Sequence, residues 1–146
     1  MAKDFSQIVP DAQRCDAQIR SGLQHAVQSA ITVATMAARQ EHAWKDRTNA
    51  TRESLEPTFE TGANGASASL KAEGNAARLA EGTEAHVITA KNARALRFER
   101  GGRTVFRKSV QHPGTAPDPY LDQAAAKAGE QLVEQVLHEL DGIFSG

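Results

Sequence analysis

Five histidines, at positions 25, 42, 86, 112 and 138, and a single cysteine, Cys15, are the residues of this chain best suited to ligate a metal, move a proton or act as a nucleophile. Such work needs these groups at short repeating spacings, so that one helix face or loop presents several together. The chain has no H-E-x-x-H and no C-x-x-C, and Glu41-His42 has no second histidine four positions on. A structural role is expected for all five histidines. Cys15 lies on the apolar stripe of a helix-periodic segment and reads as a small core residue, since a nucleophile would need a base held against it. Gly62-Ala63-Asn64-Gly65 and Gly101-Gly102 lack the Lys-Ser/Thr pair that completes a phosphate loop, and no strand-glycine-helix order surrounds them. The expectation is a protein that is not an enzyme and uses no metal or cofactor.

Charge is the chemistry that remains. Residues 91–108 carry seven Lys/Arg against Glu99, a net +6, and residues 118–146 carry one Lys against six carboxylates, a net -5, in a chain whose total is -1. Opposite-sign surfaces on one chain suit head-to-tail self-association, with Arg97, Arg103 and Arg107 meeting Glu134 and Glu139 of a neighbour. The plain alternative is that each element has a solvated face. A second functional reading makes 91–108 a nucleic-acid-binding module, with Arg97, Arg100, Arg103, Arg107 and Lys108 tracking phosphates. The near-zero net charge and the acidic C-terminal segment disfavour it.

The elements that must carry these groups follow from periodicity. From Asp11 to about Trp44, Cys15, Ile19, Leu23, Val27, Ile31 and Ala34 recur every three or four residues, which predicts one long helix, with Asp11 after Pro10 as its cap. Its alanines, 26, 30, 34, 37 and 38, let another backbone approach closely. A helical turn over Arg52 to Leu55 and two strands, Thr58 to Gly62 and Ala66 to Glu73, are expected next; a partly mobile loop is the alternative, because the segment offers little apolar area. Ala95 to Arg100 and Arg103 to Lys108 flank Gly101-Gly102, whose freedom at positive dihedrals predicts a tight hairpin pairing Arg100 with Arg103 and Phe98 with Val105. Leu96, Phe98 and Val105 should then face the helices. Pro113, Pro117 and Pro119 make an extended linker. Leu121, Ala124, Ala125, Ala128, Leu132, Val133, Val136, Leu137 and Leu140 describe a C-terminal amphipathic helix beginning at Asp118 or Asp122. The fold class is α+β: long N-terminal helix, central antiparallel sheet, C-terminal helix.

Length and composition bound the rest. A chain of 146 residues has room for one domain. Of its 40% hydrophobic residues, 26 are alanine, so the core is thin and neighbouring subunits are expected to add stability. One cysteine gives no intramolecular disulfide, and Met1-Ala2-Lys3-Asp4-Phe5 lacks the pattern of a signal peptide, so the cytoplasm is the expected compartment. Ser21 to Ala38 is uncharged but too polar for a bilayer, so no membrane partner is expected.

Several strings are similar to one family. Asp46-Arg47-Thr48 running into Arg52-Glu53-Ser54-Leu55, Glu81-Gly82-Thr83 with Ala85-His86-Val87-Ile88, Lys91 to Phe98, and His112-Pro113-Gly114-Thr115-Ala116-Pro117-Asp118-Pro119-Tyr120-Leu121-Asp122-Gln123-Ala124 resemble the small tail-component proteins of tailed bacteriophages. The last string is the most specific. Where the family carries glycine this chain has Asn49, which tolerates a left-handed backbone better than other non-glycine residues. The family's aromatic before Glu-x-Gly-Thr is replaced within Arg78-Leu79-Ala80. The resemblance implies a non-enzymatic virion part of the head-tail joint, made in the host cytoplasm. It would assemble around the tail axis as a ring, a hexamer by the tail's symmetry, against head-closure and tail-tube proteins. Subunit contacts are expected at Gly82, Thr83 and His112 to Thr115. The rigid turn His112-Pro113-Gly114-Thr115 either only connects strand to helix or sets the extended Pro117 to Pro119 segment against a neighbour with Tyr120 as its anchor.

Overall fold

The computed structural model describes residues 6–45, 49–63 and 65–145. Asp46, Arg47 and Thr48, which open the first resembling string, lie outside the described residues, as do Asn64 and Met1 to Phe5. The fold is α+β, in the order α1 (Ile8–Gln40), α2 (Ala50–Glu53), β1 (Leu55–Gly62), β2 (Gly65–Ala72), α3 (Gly74–Glu81), β3 (His86–Thr89), β4 (Leu96–Arg100), β5 (Arg103–Arg107), β6 (Ser109–His112) and α4 (Tyr120–Phe144). The antiparallel strands form three two-stranded ladders, β1-β2, β3-β6 and β4-β5, where one central sheet was expected.

Helices α1 and α4 pack antiparallel along a seam of small residues. Gly22, Ala26, Ala30, Ala34, Ala37 and Ala38 are buried on α1, and Glu139 Cβ comes within 3.0 Å of where a Cβ on Gly22 would stand. Polar pins hold both ends of the seam. His25 Nδ1 lies 2.8 Å from Glu139 Oε1, and at the other end Lys127 pairs with Glu41. The β1-β2 hairpin lies on α1, and a small cluster of Ala37, Ala38, Leu55, Ala76, Tyr120 and Ala124 closes the core. Among the described residues seven of the nine buried apolar ones are alanine, so the core is as thin as the composition implies.

Helix boundaries differ from expectation for local reasons. Asp11 is no cap: the helix begins at Ile8, Pro10 sits in the first turn where its missing N–H costs nothing, and Asp11 pairs with Arg14. The helix stops at Gln40 because His42 turns back, its ring stacked on Trp44 at 3.5 Å and its Nδ1 donating to the Trp44 carbonyl at 2.9 Å. Neither Asp118 nor Asp122 caps α4. The Asp118 carboxylate accepts the Ala43 N–H at 2.8 Å, Pro119 takes the cap position, and Asp122 lies in the first turn. Asn49, at φ 62°, is the one non-glycine residue with positive φ among the described residues, and α2 follows it directly. Leu55 opens β1 instead of closing that turn.

Helix α3 was not anticipated. Its Gly74-Asn75 start hides the i, i+4 pair Ala76 and Ala80, of which Ala76 is buried beneath Tyr120. Accessible surface totals 11064 Å², against about 7,300 Å² for a compact monomer of this mass. No residue from Thr83 to Thr115 is buried, and none from Ala125 to Ser145.

Candidate functional site

Residues 83–115 form an antiparallel arm, closed at its base. Thr83 N–H donates to the Thr115 carbonyl and Thr115 N–H to the Thr83 carbonyl, both at 2.9 Å. Above this bridge runs the β3-β6 ladder, in register His86 with His112 and Ile88 with Val110. Beyond it the β4-β5 hairpin turns through Gly101-Gly102 at φ 57° and 73°, pairing Arg100 with Arg103 and Phe98 with Val105 as the sequence predicts. Strands β3 and β6 escaped the sequence reading, although Val87-Ile88-Thr89 is a β-branched run.

The base is a tight joint between two resembling strings thirty residues apart. A Cβ on Gly82 would stand 2.7 Å from the Thr115 carbonyl oxygen, and one on Gly114 would press onto the Thr83 carbonyl oxygen. Both glycines also have positive φ, 76° and 90°, so side chains are excluded twice over. His112 Nδ1 accepts the Gly114 N–H at 3.1 Å, and the His86 ring sits 5.0 Å from the His112 ring. Pro113 is exposed between them. The segment after the joint is strapped down: Asp118 N–H donates to the Leu79 carbonyl at 2.9 Å, and the Tyr120 hydroxyl donates to the Ala76 carbonyl at 3.0 Å.

That strap corrects the assignment of Tyr120. The side chain is fully buried within its own chain, with Trp44 edge-on at 6.0 Å, so it has no surface to offer a neighbour. Burial, with the nearby Asp118 charge, pushes its phenol pKa up. Gly82 and Gly114 are likewise engaged inside the chain, where they fit two backbones together.

The ribbon's two faces are unlike. Directly paired residues share a face, so Leu96, Phe98, Val105, Arg100, Arg103 and Arg107 lie on one side, and Arg97, Phe106, Glu99 and Thr104 on the other. Arg97 and Arg107 therefore point opposite ways and cannot meet one acidic helix together. On the first face Leu96, Phe98 and Val105 are half-buried, but no extensive packing on either helix is present among the described residues. An open groove separates Lys45 from Arg97, Phe98 and Glu99. The second face is open, and its Phe106 is 61% exposed.

Helix α4 supplies the opposite charge from different residues than expected. Glu139 belongs to the seam: His25 and Gln135, the latter at 3.0 Å, hydrogen-bond its carboxylate and hold its pKa below the ordinary carboxylate value. Glu134 is exposed and, among the described residues, makes no ion pair. Val133 and Leu137, placed on the buried stripe by their spacing, are exposed by 61% and 63%, and Phe144 by 70%. An alanine-lined partner admits only a narrow strip of α4, which leaves these outside.

No group of three or more His, Cys, Asp or Glu among the described residues could hold a metal ion, and no described helix is long and apolar enough to cross a membrane. Comparison with protein-family models, with curated proteins and with solved structures returned no match.

Proposed function

We propose that this protein is a structural component of a bacteriophage head-tail joint, working in the neck or completing the tail, and assembling as a hexameric ring against head-closure and tail-tube proteins. The observation that carries the reading is the joint at the base of the arm. Glu81-Gly82-Thr83 and His112-Pro113-Gly114-Thr115, chosen for their resemblance to tail-component proteins, come together there through two reciprocal hydrogen bonds and two glycines that no side chain could replace. Two strings that resemble one family and also form one structural unit are better explained by a shared fold than by chance. Asn49 adds support, since it adopts the left-handed backbone at the position where the family carries glycine. The large accessible surface suits a part whose stability is completed by neighbours.

Virions tested with an antibody to this protein should contain it, and a deletion should yield DNA-filled heads beside unjoined tails. Normal infectious particles from the deletion would end the reading. The exposed arginines of the hairpin favour one rival, a nucleic-acid-binding module using residues 91–108. Under that rival, duplex affinity should fall steeply as salt rises while the association state of the protein stays constant.

A further inference from the structure

Among the described residues β1 pairs only with β2, and β5 only with β4, so each strand has one bare edge. The pairs Gly62 with Gly65 and Arg100 with Arg103 close tight turns. From each closing pair, residues bonded to the hairpin partner alternate with residues whose N–H and C=O point away from it. The outward set is Pro57, Phe59 and Thr61 on β1, and Thr104 and Phe106 on β5. Pro57 has no N–H and withholds one donor from its edge.

The side chains along these edges carry opposite charge. Leu55 turns into the core, so on the alternating strand Glu56 and Glu60 face away from α1, four residues apart. Arg103 and Arg107 stand four apart on β5, on the ribbon face that holds no carboxylate. None of the four is ion-paired among the described residues. A charged edge repels its like and admits its opposite, so β1 is closed to a second β1 and suited to β5. Shape adds to charge. Between α1 and the bare edge of β1 runs an open groove bounded by Ile31, Thr32, Met36, Pro57 and Phe59. Met36 and Phe59 are exposed there, as Phe106 is on the ribbon.

We propose that β5 of a second copy of this chain adds to the bare edge of β1 as an antiparallel third strand, with Arg103 opposite Glu60, Val105 opposite Thr58 and Arg107 opposite Glu56. The same register sets Thr104 opposite Phe59 and Phe106 opposite Pro57, so the outward backbone groups of the two strands meet. Phe106 then lies on the α1 side, over the groove. A slip of one residue would turn the arginines toward α1 and Phe106 toward water. Backbone bonds and the covered Phe106 supply the attraction, and the charges set partner and direction. The contact is heterologous, β5 of one copy to β1 of the next, so every copy keeps one free edge of each kind, the repeat that a ring needs. This inference rests on the multi-copy part of the proposed function and is independent of the virion role.

In this register Thr58 and Val105 form a non-hydrogen-bonded pair, about 4.5 Å apart at Cα, which is within disulfide reach. The test mixes two full-length variants in a Cys15→Ser background, one carrying Thr58→Cys and the other Val105→Cys. Under mild oxidation the mixed pair should form a disulfide about tenfold faster than Thr58→Cys mixed with a Gln13→Cys control, because docking raises the local thiol concentration. Adding Arg103→Glu to the Val105→Cys chain should slow the reaction, and Glu60→Arg on the other chain should restore it, a rescue that misfolding of either variant would not give. No preference over the control, with light scattering still reporting multimers of the wild type, would overturn this edge contact and leave the ring reading standing. A wild type that remains monomeric at every concentration would overturn both.

Discussion

The seam between α1 and α4 and the arm from Thr83 to Thr115 use the chain in opposite ways. Along the seam the contact is made by alanine methyls and backbone, with Ala26 and Ala38 fully buried. Alanine loses no rotamer freedom on burial, so a narrow contact of this kind suffices to order two long helices. In the arm two ladders pair the strands, yet no residue is buried and Val87 and Phe106 are 59% and 61% exposed. The body is organised around what it hides and the arm around what it presents. The Thr83-Thr115 bridge and the strap to Tyr120 join the two.

The strongest way to break this contrast is at Tyr120. Replacing it with alanine removes the largest buried side chain and leaves the Ala76 carbonyl without its donor; it should lower stability by about 3 to 5 kcal/mol. Tyr120→Phe, which removes only the hydroxyl, should cost about 1 kcal/mol. Thermal melts of both decide it, and an unchanged melting temperature for Tyr120→Ala would mean that the strap is not part of the core. Next comes Gly114→Ala, which forces a Cβ onto the Thr83 carbonyl at a positive φ and should cost about 1 to 3 kcal/mol. Hydrogen exchange should then quicken at Thr83 and across β3 and β6 while amides of the seam keep their protection. Loss of protection in both regions would show that arm and body unfold as one.

Two smaller effects sharpen the comparison. The hydrogen bonds from His25 and Gln135 lower the folded pKa of Glu139 below its ordinary value of 4.5. The ionised form is thus favoured by folding, so this contribution is present above pH 4.5 and is lost as pH falls through the lowered value. Glu139→Gln should flatten the acid side of a melting-temperature profile, and an unaltered profile would remove Glu139 from the seam. Smallest of all, Phe106→Ser should change monomer stability by less than about 0.5 kcal/mol, as exposed substitutions do. A large drop would place Phe106 in a core.

Where spacing alone determines geometry, the sequence reading and the fold agree. Gly101-Gly102 fixed the register of β4 with β5, and the alanines of α1 announced the close approach of another backbone, though not that the backbone is α4. Reading failed where a tertiary partner outweighed a local signal. Asp118 looks like a helix cap and instead serves the backbone of Ala43, and Glu139 looks like surface charge but reaches His25. Val133 and Leu137 show the reverse error, since helical periodicity says which residues share a face and not which face is covered. Tyr120 carries no local mark of burial at all. Its role depends on α3, whose helical signal is masked by Gly74 and Asn75.

The bridge at the base of the arm has a further meaning for how such a chain varies. Hydrogen-bonded partners across an antiparallel pair stand about 5.5 Å apart at Cα, so the body sees nearly the same two endpoints whatever lies between Thr83 and Thr115. A two-residue turn can close that gap. In geometric terms residues 85–113 resemble an insertion: with Gly82 and Gly114 holding the joint, the bridge leaves the length of the ladder beyond it free while the helical seam keeps its own geometry.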